Sequence, residues 1–199
     1  MRNTMRVLFF ILVSFFVQTT FGQTDSSQYY FKEIGWSIKL PSDFKIVDSA
    51  TRVSNIAKGK SAVEVTLNKE INMTKLTHLI SAAKDNLNYF AANILNSALV
   101  TSENWESADN SSNEVLFKTM NRILKNFEID TSNTLIIIDG VRFKKFQAIC
   151  IIPNKNKQAY FSQIGTFHKE QYFSVSYFYL DKALGDEIEN MLMTSKFDK

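Results

Sequence analysis

The sequence is poor in the residues that build special architectures. It holds one cysteine, two prolines and six glycines among 199 residues. One cysteine allows no internal disulfide, so a disulfide scaffold is excluded. So little glycine and proline excludes a collagen-like chain. Continuous apolar sequence is confined to roughly the first twenty positions, which excludes a multipass membrane protein. An excess of one charge is also missing, since 23 Lys and Arg stand against 20 Asp and Glu. What remains is ordinary globular composition, 45% hydrophobic and 22% charged. The chain is long enough for one domain with a real core.

The first segment reads as an address. Arg2 and Arg6 precede the apolar run Val7–Val17, and small or polar residues follow to Gln23. That is the three-part layout of a secretory signal peptide. The run is too short for a spanning helix, which needs about 20 apolar residues. Cleavage is expected after Gly22, giving a leader over 1–22, a polar and flexible stretch over 23–28, and a single domain over 29–199. Losing the leader removes Arg2 and Arg6, which leaves 21 basic and 20 acidic residues and a formal charge of +1. Near-neutrality argues against a nucleic-acid partner, which would need a basic footprint. Asn and Lys are abundant, a usage that suits an AT-rich bacterial genome. Export in such a cell leads to the periplasm or the outside, with no stable membrane span in the mature chain.

Chemistry is sparse. The two histidines, His78 and His168, form no paired motif, and without a second cysteine zinc has no ligand set. Gly-rich phosphate loops and a nucleophile elbow are absent. Asp48, Asp130 and Asp139 are scattered carboxylates with no regular calcium loop around them. Cys150 lies in the apolar run Phe146–Ile152 and reads as an inert buried thiol. We therefore expect no catalytic residue, no cofactor and no metal. The candidate partner-contact residues are Trp105 in a polar loop and the basic cluster Arg142, Lys144 and Lys145. Trp105 is either an interaction anchor or a side chain folded back on the core. The basic cluster reads first as a solvated strand end. Both histidines read as exposed.

The patterning predicts an α+β fold with an antiparallel β-sheet covered by amphipathic helices. Phe31 to Leu40 alternates as a strand, with a break or bulge at Gly35 and a stop at Pro41. Residues 45–60 are weakly patterned, with room for a short helical turn. Ala62–Leu67 alternates as a strand. Leu76, Ile80, Ala83, Leu87, Phe90 and Ile94 recur at steps of three and four, which predicts a helix from Thr74 to Ala98. Residues 101–112 read as a polar loop, and 113–127 as a second helix or a strand pair. After Leu135–Ile138, Asp139-Gly140 signals a hairpin. Strands follow over 142–152, 158–167 and 172–179, with turns at 154–157 and 168–171, making a meander. Asp181 then caps a final helix carrying Ile188, Met191 and Leu192.

Gly35-Trp-Ser-Ile-Lys-Leu-Pro41, Tyr172-Phe-Ser-Val-Ser-Tyr177, Ile188–Leu192 and Thr194-Ser-Lys-Phe197 together resemble the PsbP/Mog1-like group. The resemblance implies an α/β/α sandwich around an antiparallel sheet, in a secreted bacterial member. Members serve as photosystem assembly or stabilising subunits, as binders of a small GTPase, or have no known role. A GTPase partner is not expected for an exported chain. The leading expectation is an exported non-catalytic accessory subunit of the cell envelope, using a sheet edge or the Trp105 loop on an envelope protein. The alternative is a binder of an apolar small molecule, in a pocket lined by Tyr172, Tyr177 and Tyr179.

Overall fold

The computed structural model describes residues 28–85, 87–153 and 157–198. The expected leader, its cleavage after Gly22 and the turn at 154–156 lie outside the described residues. Strands β1 (Gln28–Phe31) and β2 (Trp36–Lys39) form a hairpin, and β3 (Lys45–Ile46) leads into helix α1 (Ser49–Leu67). Strands β4 (Leu76–Asp85) and β5 (Asn88–Leu95) make a second hairpin, followed by α2 (Trp105–Ile123). A meander comes next: β6 (Glu128–Ile138), β7 (Val141–Ile152), β8 (Lys157–His168) and β9 (Gln171–Tyr179). Helix α3 (Lys182–Met193) and β10 (Lys196–Phe197) complete the described order.

The main sheet has seven strands in the order β3-β4-β5-β9-β8-β7-β6, and every pairing is antiparallel. A small sheet, β1-β2-β10, joins residues from opposite ends of the described chain. The core lies between one face of the main sheet and the layer made by α3 and the small sheet. There Phe90, Phe143, Phe173, Val175 and Tyr177 meet Trp36, Ile38, Ile188, Leu192 and Phe197. Burying each large apolar side chain is worth about 1.5–3 kcal/mol. Helices α1 and α2 cover the opposite face, so helices flank the sheet on both sides. Among the described residues no helix is long and apolar enough to cross a membrane.

The second half follows its sequence signals. Asp139 and Gly140 take φ of 47° and 86°, the left-handed pair that a two-residue hairpin needs. Asp181 accepts from the Ala183 amide and caps α3. Gly35 has φ of 61° in the tight turn between β1 and β2.

Three expectations in the first half are overturned. The helix over 74–98 is the β4–β5 hairpin. Phe90 and Ile94, four apart, share one face of β5 because an even step also repeats in a strand, while Ile80 faces the core and Ala83 the opposite face, so the step of three joined two sides of one strand. Register shifts between His78 and Ile80 and between Ala83 and Asp85 make β4 irregular. The Asp85 carboxylate accepts from the Leu87 amide and the Asn88 side chain, which closes the turn. The strand over 62–67 is the last third of α1, where Val65 and Leu67 point outward, 60% and 43% exposed. The loop expected over 101–112 holds only to Asn104; from Trp105 onward the segment is the start of α2. Its inward residues include Asp109 and Asn113, so no apolar stripe announced it. The open question over 113–127 resolves as helix to Ile123, then a turn into β6.

Candidate functional site

Helix α1 is an unusual element. Asp48 caps it by accepting from the Thr51 amide at 3.0 Å, and Asn68 ends it in the left-handed conformation. Yet Thr51 is its only fully buried residue. The helix does not press on the sheet. A cleft of about 750 Å³ separates the two, within the range of small-molecule sites.

The α1 wall is one helical face: Arg52, Asn55, Ile56, Gly59, Lys60 and Val63 recur at steps of three and four. The floor comes from four adjacent strands of the sheet. It includes His78 and Ser81 on β4, Tyr89, Ala91 and Asn93 on β5, Ser176 on β9, and Phe161 and Gln163 on β8. Ile71, Met73 and Leu116 complete the apolar part. Register explains the floor, because Ser81, Ala91, Ser176 and Gln163 are cross-strand partners in one row. Strand alternation sends their neighbours Ala82, Ala92, Val175 and Ile164 to the core.

The polar floor is ordered. His78 Nδ1 lies 3.1 Å from Asn93 Oδ1, and Ser81 Oγ lies 3.3 Å from His78 Nε2. Burial is the main cause that holds the imidazole below its ordinary pKa. The Arg52 charge adds to it, and the Asn93 bond opposes both. The ring is therefore neutral at pH 7. Its Nδ1–H donates to Asn93, and its Nε2 accepts from the Ser81 hydroxyl. The order Ser–His–Asn has the sequence of nucleophile, base and orienting group. Ser81 sits within the β4–β5 ladder, opposite Ala91. The arrangement fits a hydrogen-bonding floor for a ligand.

A second polar chain runs from α2 to this floor. Tyr172 donates to Asp109 Oδ1 at 2.5 Å, and Asn113 donates to Asp109 Oδ2 at 2.8 Å. Gln163 then reaches Asn113, and Ser176 reaches Gln163, both at 3.4 Å. Gly165 makes room for it: a Cβ there would stand 2.3 Å from the Tyr172 hydroxyl and 2.6 Å from Asp109.

The candidate contact residues divide. Trp105 opens α2 and is buried, 6% exposed. Arg142 lies over its ring at 6.0 Å and pairs with Glu106. Lys144 bonds to Asn110 and to the Glu106 carbonyl. Those three residues meet where α2 packs on β7. Lys145 alternates to the other face and pairs with Glu189 of α3 at 2.6 Å. Leu135 and Ile137, 59% and 64% exposed, stand opposite Lys144 and Arg142 on β6, an edge strand of the sheet among the described residues.

Other expectations are corrected here. Tyr177 and Tyr179 are core residues, and Tyr172 points to α2, so those tyrosines line no common pocket. Both histidines are partly buried; His168 packs edge-on against Phe197. Asp48, Asp130 and Asp139 stand on separate elements, and Asp139 accepts from the Phe197 amide at 2.9 Å. Among the described residues no group of three His, Cys, Asp or Glu is placed to hold a metal ion. Cys150 is buried, and burial pushes its thiol up to about 11. Thiol reagents are expected to label it only after unfolding, read as a mass shift that appears with denaturant and not before.

The cleft itself was not found in the sequence. Its signal was the three-and-four spacing of mixed polar and apolar residues from Arg52 to Val63.

No family model and no curated protein matches the chain. Solved structures do. The solution structure of cyanobacterial PsbP (CyanoP) from Synechocystis sp. PCC 6803 matches with a TM-score of 0.52 at 8% identity, covering 92% of this chain and 99% of that one. The crystal structure of LpqN, involved in cell envelope biogenesis of Mycobacterium tuberculosis, matches with a TM-score of 0.40 at 10% identity, covering 89% and 93%. The chain has the PsbP/Mog1-like α+β fold.

Proposed function

We propose that this protein is an exported, non-catalytic accessory protein of a bacterial cell envelope that works by holding a small amphipathic molecule between α1 and the sheet. One observation carries the reading: a cleft of about 750 Å³ lies under a helix that buries almost nothing of its own. A helix placed only for stability would fill that space with apolar side chains. Here the space is kept open, with ordered polar groups on its floor and aliphatic groups at its sides. The leader-like first segment supports export.

The test is native mass spectrometry of the protein purified from its own host. A small-mass adduct that leaves on denaturation is the expected result. Gly59→Phe should abolish it, because the glycine faces open space and a ring there would occupy the cleft. A protein with no adduct, or an adduct indifferent to Gly59→Phe, overturns the reading. A second reading is favoured by the exposed Leu135 and Ile137 on β6. An unpaired edge with aliphatic side chains accepts an extended segment of a partner protein as the next strand. A protein adduct after mild crosslinking, without a small molecule, would select that alternative.

A further inference from the structure

We propose that the cleft selects an amphiphile carrying one carboxylate headgroup, seated on Arg52. This rests on the ligand-cleft reading above. Arg52 occupies the first turn of α1, where the unpaired N–H groups already make the field positive. A cation there opposes the helix field, and the Asp48 cap supplies the negative charge that favours it.

The other cations lining the cleft are neutralised. Lys60 pairs with Glu64 at 3.3 Å, and Lys84 pairs with Asp43 and, at 3.8 Å, with Glu187. Arg52 has no carboxylate partner among the described residues. Its guanidinium reaches only the Ser49 hydroxyl, at 3.4 Å. The one carboxylate lining the cleft, Asp85, is engaged by the Leu87 amide and Asn88. The space thus carries one uncompensated positive charge, on the side chain whose planar fork matches a carboxylate.

Two features extend the description of the ligand. Asn55, three residues along the same face, buries its Oδ1 without a partner. A ligand hydroxyl or amide N–H near the headgroup would satisfy it. Beyond it, Val63, Ile71, Leu116 and Phe161 line the cleft with apolar surface that suits an aliphatic tail.

Dodecanoate and dodecanol share a tail and differ in charge. Each is titrated into the purified protein against a neutral naphthylamine dye as fluorescent reporter. Dodecanoate is expected to bind about 10-fold more tightly, equivalent to about 1.4 kcal/mol. Arg52→Gln should erase that preference. Equal affinity for the two in the native protein, or a preference that survives Arg52→Gln, overturns the headgroup assignment alone. Binding of neither probe, or binding untouched by Gly59→Phe, overturns the ligand cleft and this inference with it.

Discussion

Asp109→Ala is expected to lower stability by about 3 kcal/mol, measured by urea or thermal unfolding. The carboxylate is 2% exposed and accepts from both Tyr172 and Asn113. Alanine would leave those two donors unpaired in the interior, at about 1–3 kcal/mol for each unsatisfied group. Asp109→Asn separates charge from shape. Burial, as the largest cause, pushes the Asp109 carboxyl above its ordinary value, although Tyr172, Lys144 and Asn113 pull it down. A raised folded-state pKa means that proton-linked stability is fully present below the unfolded value and is lost as pH rises through the folded value. Asparagine removes that loss. The stability difference between Asp109→Asn and the native protein should therefore move in the variant's favour from about pH 4 to about pH 7. A difference that stays flat over that interval would show that the buried carboxylate carries no such cost.

Two glycine-to-alanine changes should act in opposite directions. Gly185 lies in α3 against Tyr179, and a Cβ there would stand 2.3 Å from the ring. The ring cannot easily yield. It stacks on Tyr160 at 4.9 Å and lies beside Tyr177 at 6.2 Å. Overpacking of this kind costs about 1–3 kcal/mol and outweighs the gain of about 1 kcal/mol that alanine brings to a helix. Gly59 is also helical, but a Cβ there meets nothing within 4 Å. Gly59→Ala should stabilise by about 0.5–1 kcal/mol. In a domain of this size each kcal/mol is about 2–4 °C in melting temperature. Equal shifts for the two variants would contradict the open space under α1.

The sequence was legible where backbone chemistry is local. Asp139-Gly140 marked its turn because few other pairs take left-handed φ, and Asp181 marked its helix because a cap is a short-range bond. It misled where the buried face is polar or irregular. Asp109 and Asn113 face inward, so the start of α2 read as solvent-loving loop. Ile80 and Ala83 stand three apart on opposite faces of β4, which imitates a helical step, and pairing of β5 with β9 decided the matter in favour of strand. Of the site, Arg52, His78 and Asn93 were in plain view as residue types. Their convergence depends on pairing across strands and on a helix held off the sheet, neither of which leaves a local pattern. Trp105, Arg142 and Lys144 were brought together, while strand alternation placed Lys145 on the far side.

The small sheet has a consequence for how the native state is reached. Phe197 pairs with Trp36, and both pack on Phe173 of β9, the strand at the centre of the main sheet. A nascent chain that has emerged only as far as β8 possesses neither that central strand nor the one that closes the small sheet. Its first hairpin lacks Phe173, the ring on which Trp36 packs, and Phe197, the strand partner of Trp36. Contacts between segments so far apart in sequence are slow to form. A polypeptide threaded N-terminus first through a pore would therefore stay threadable until its final stretch was delivered.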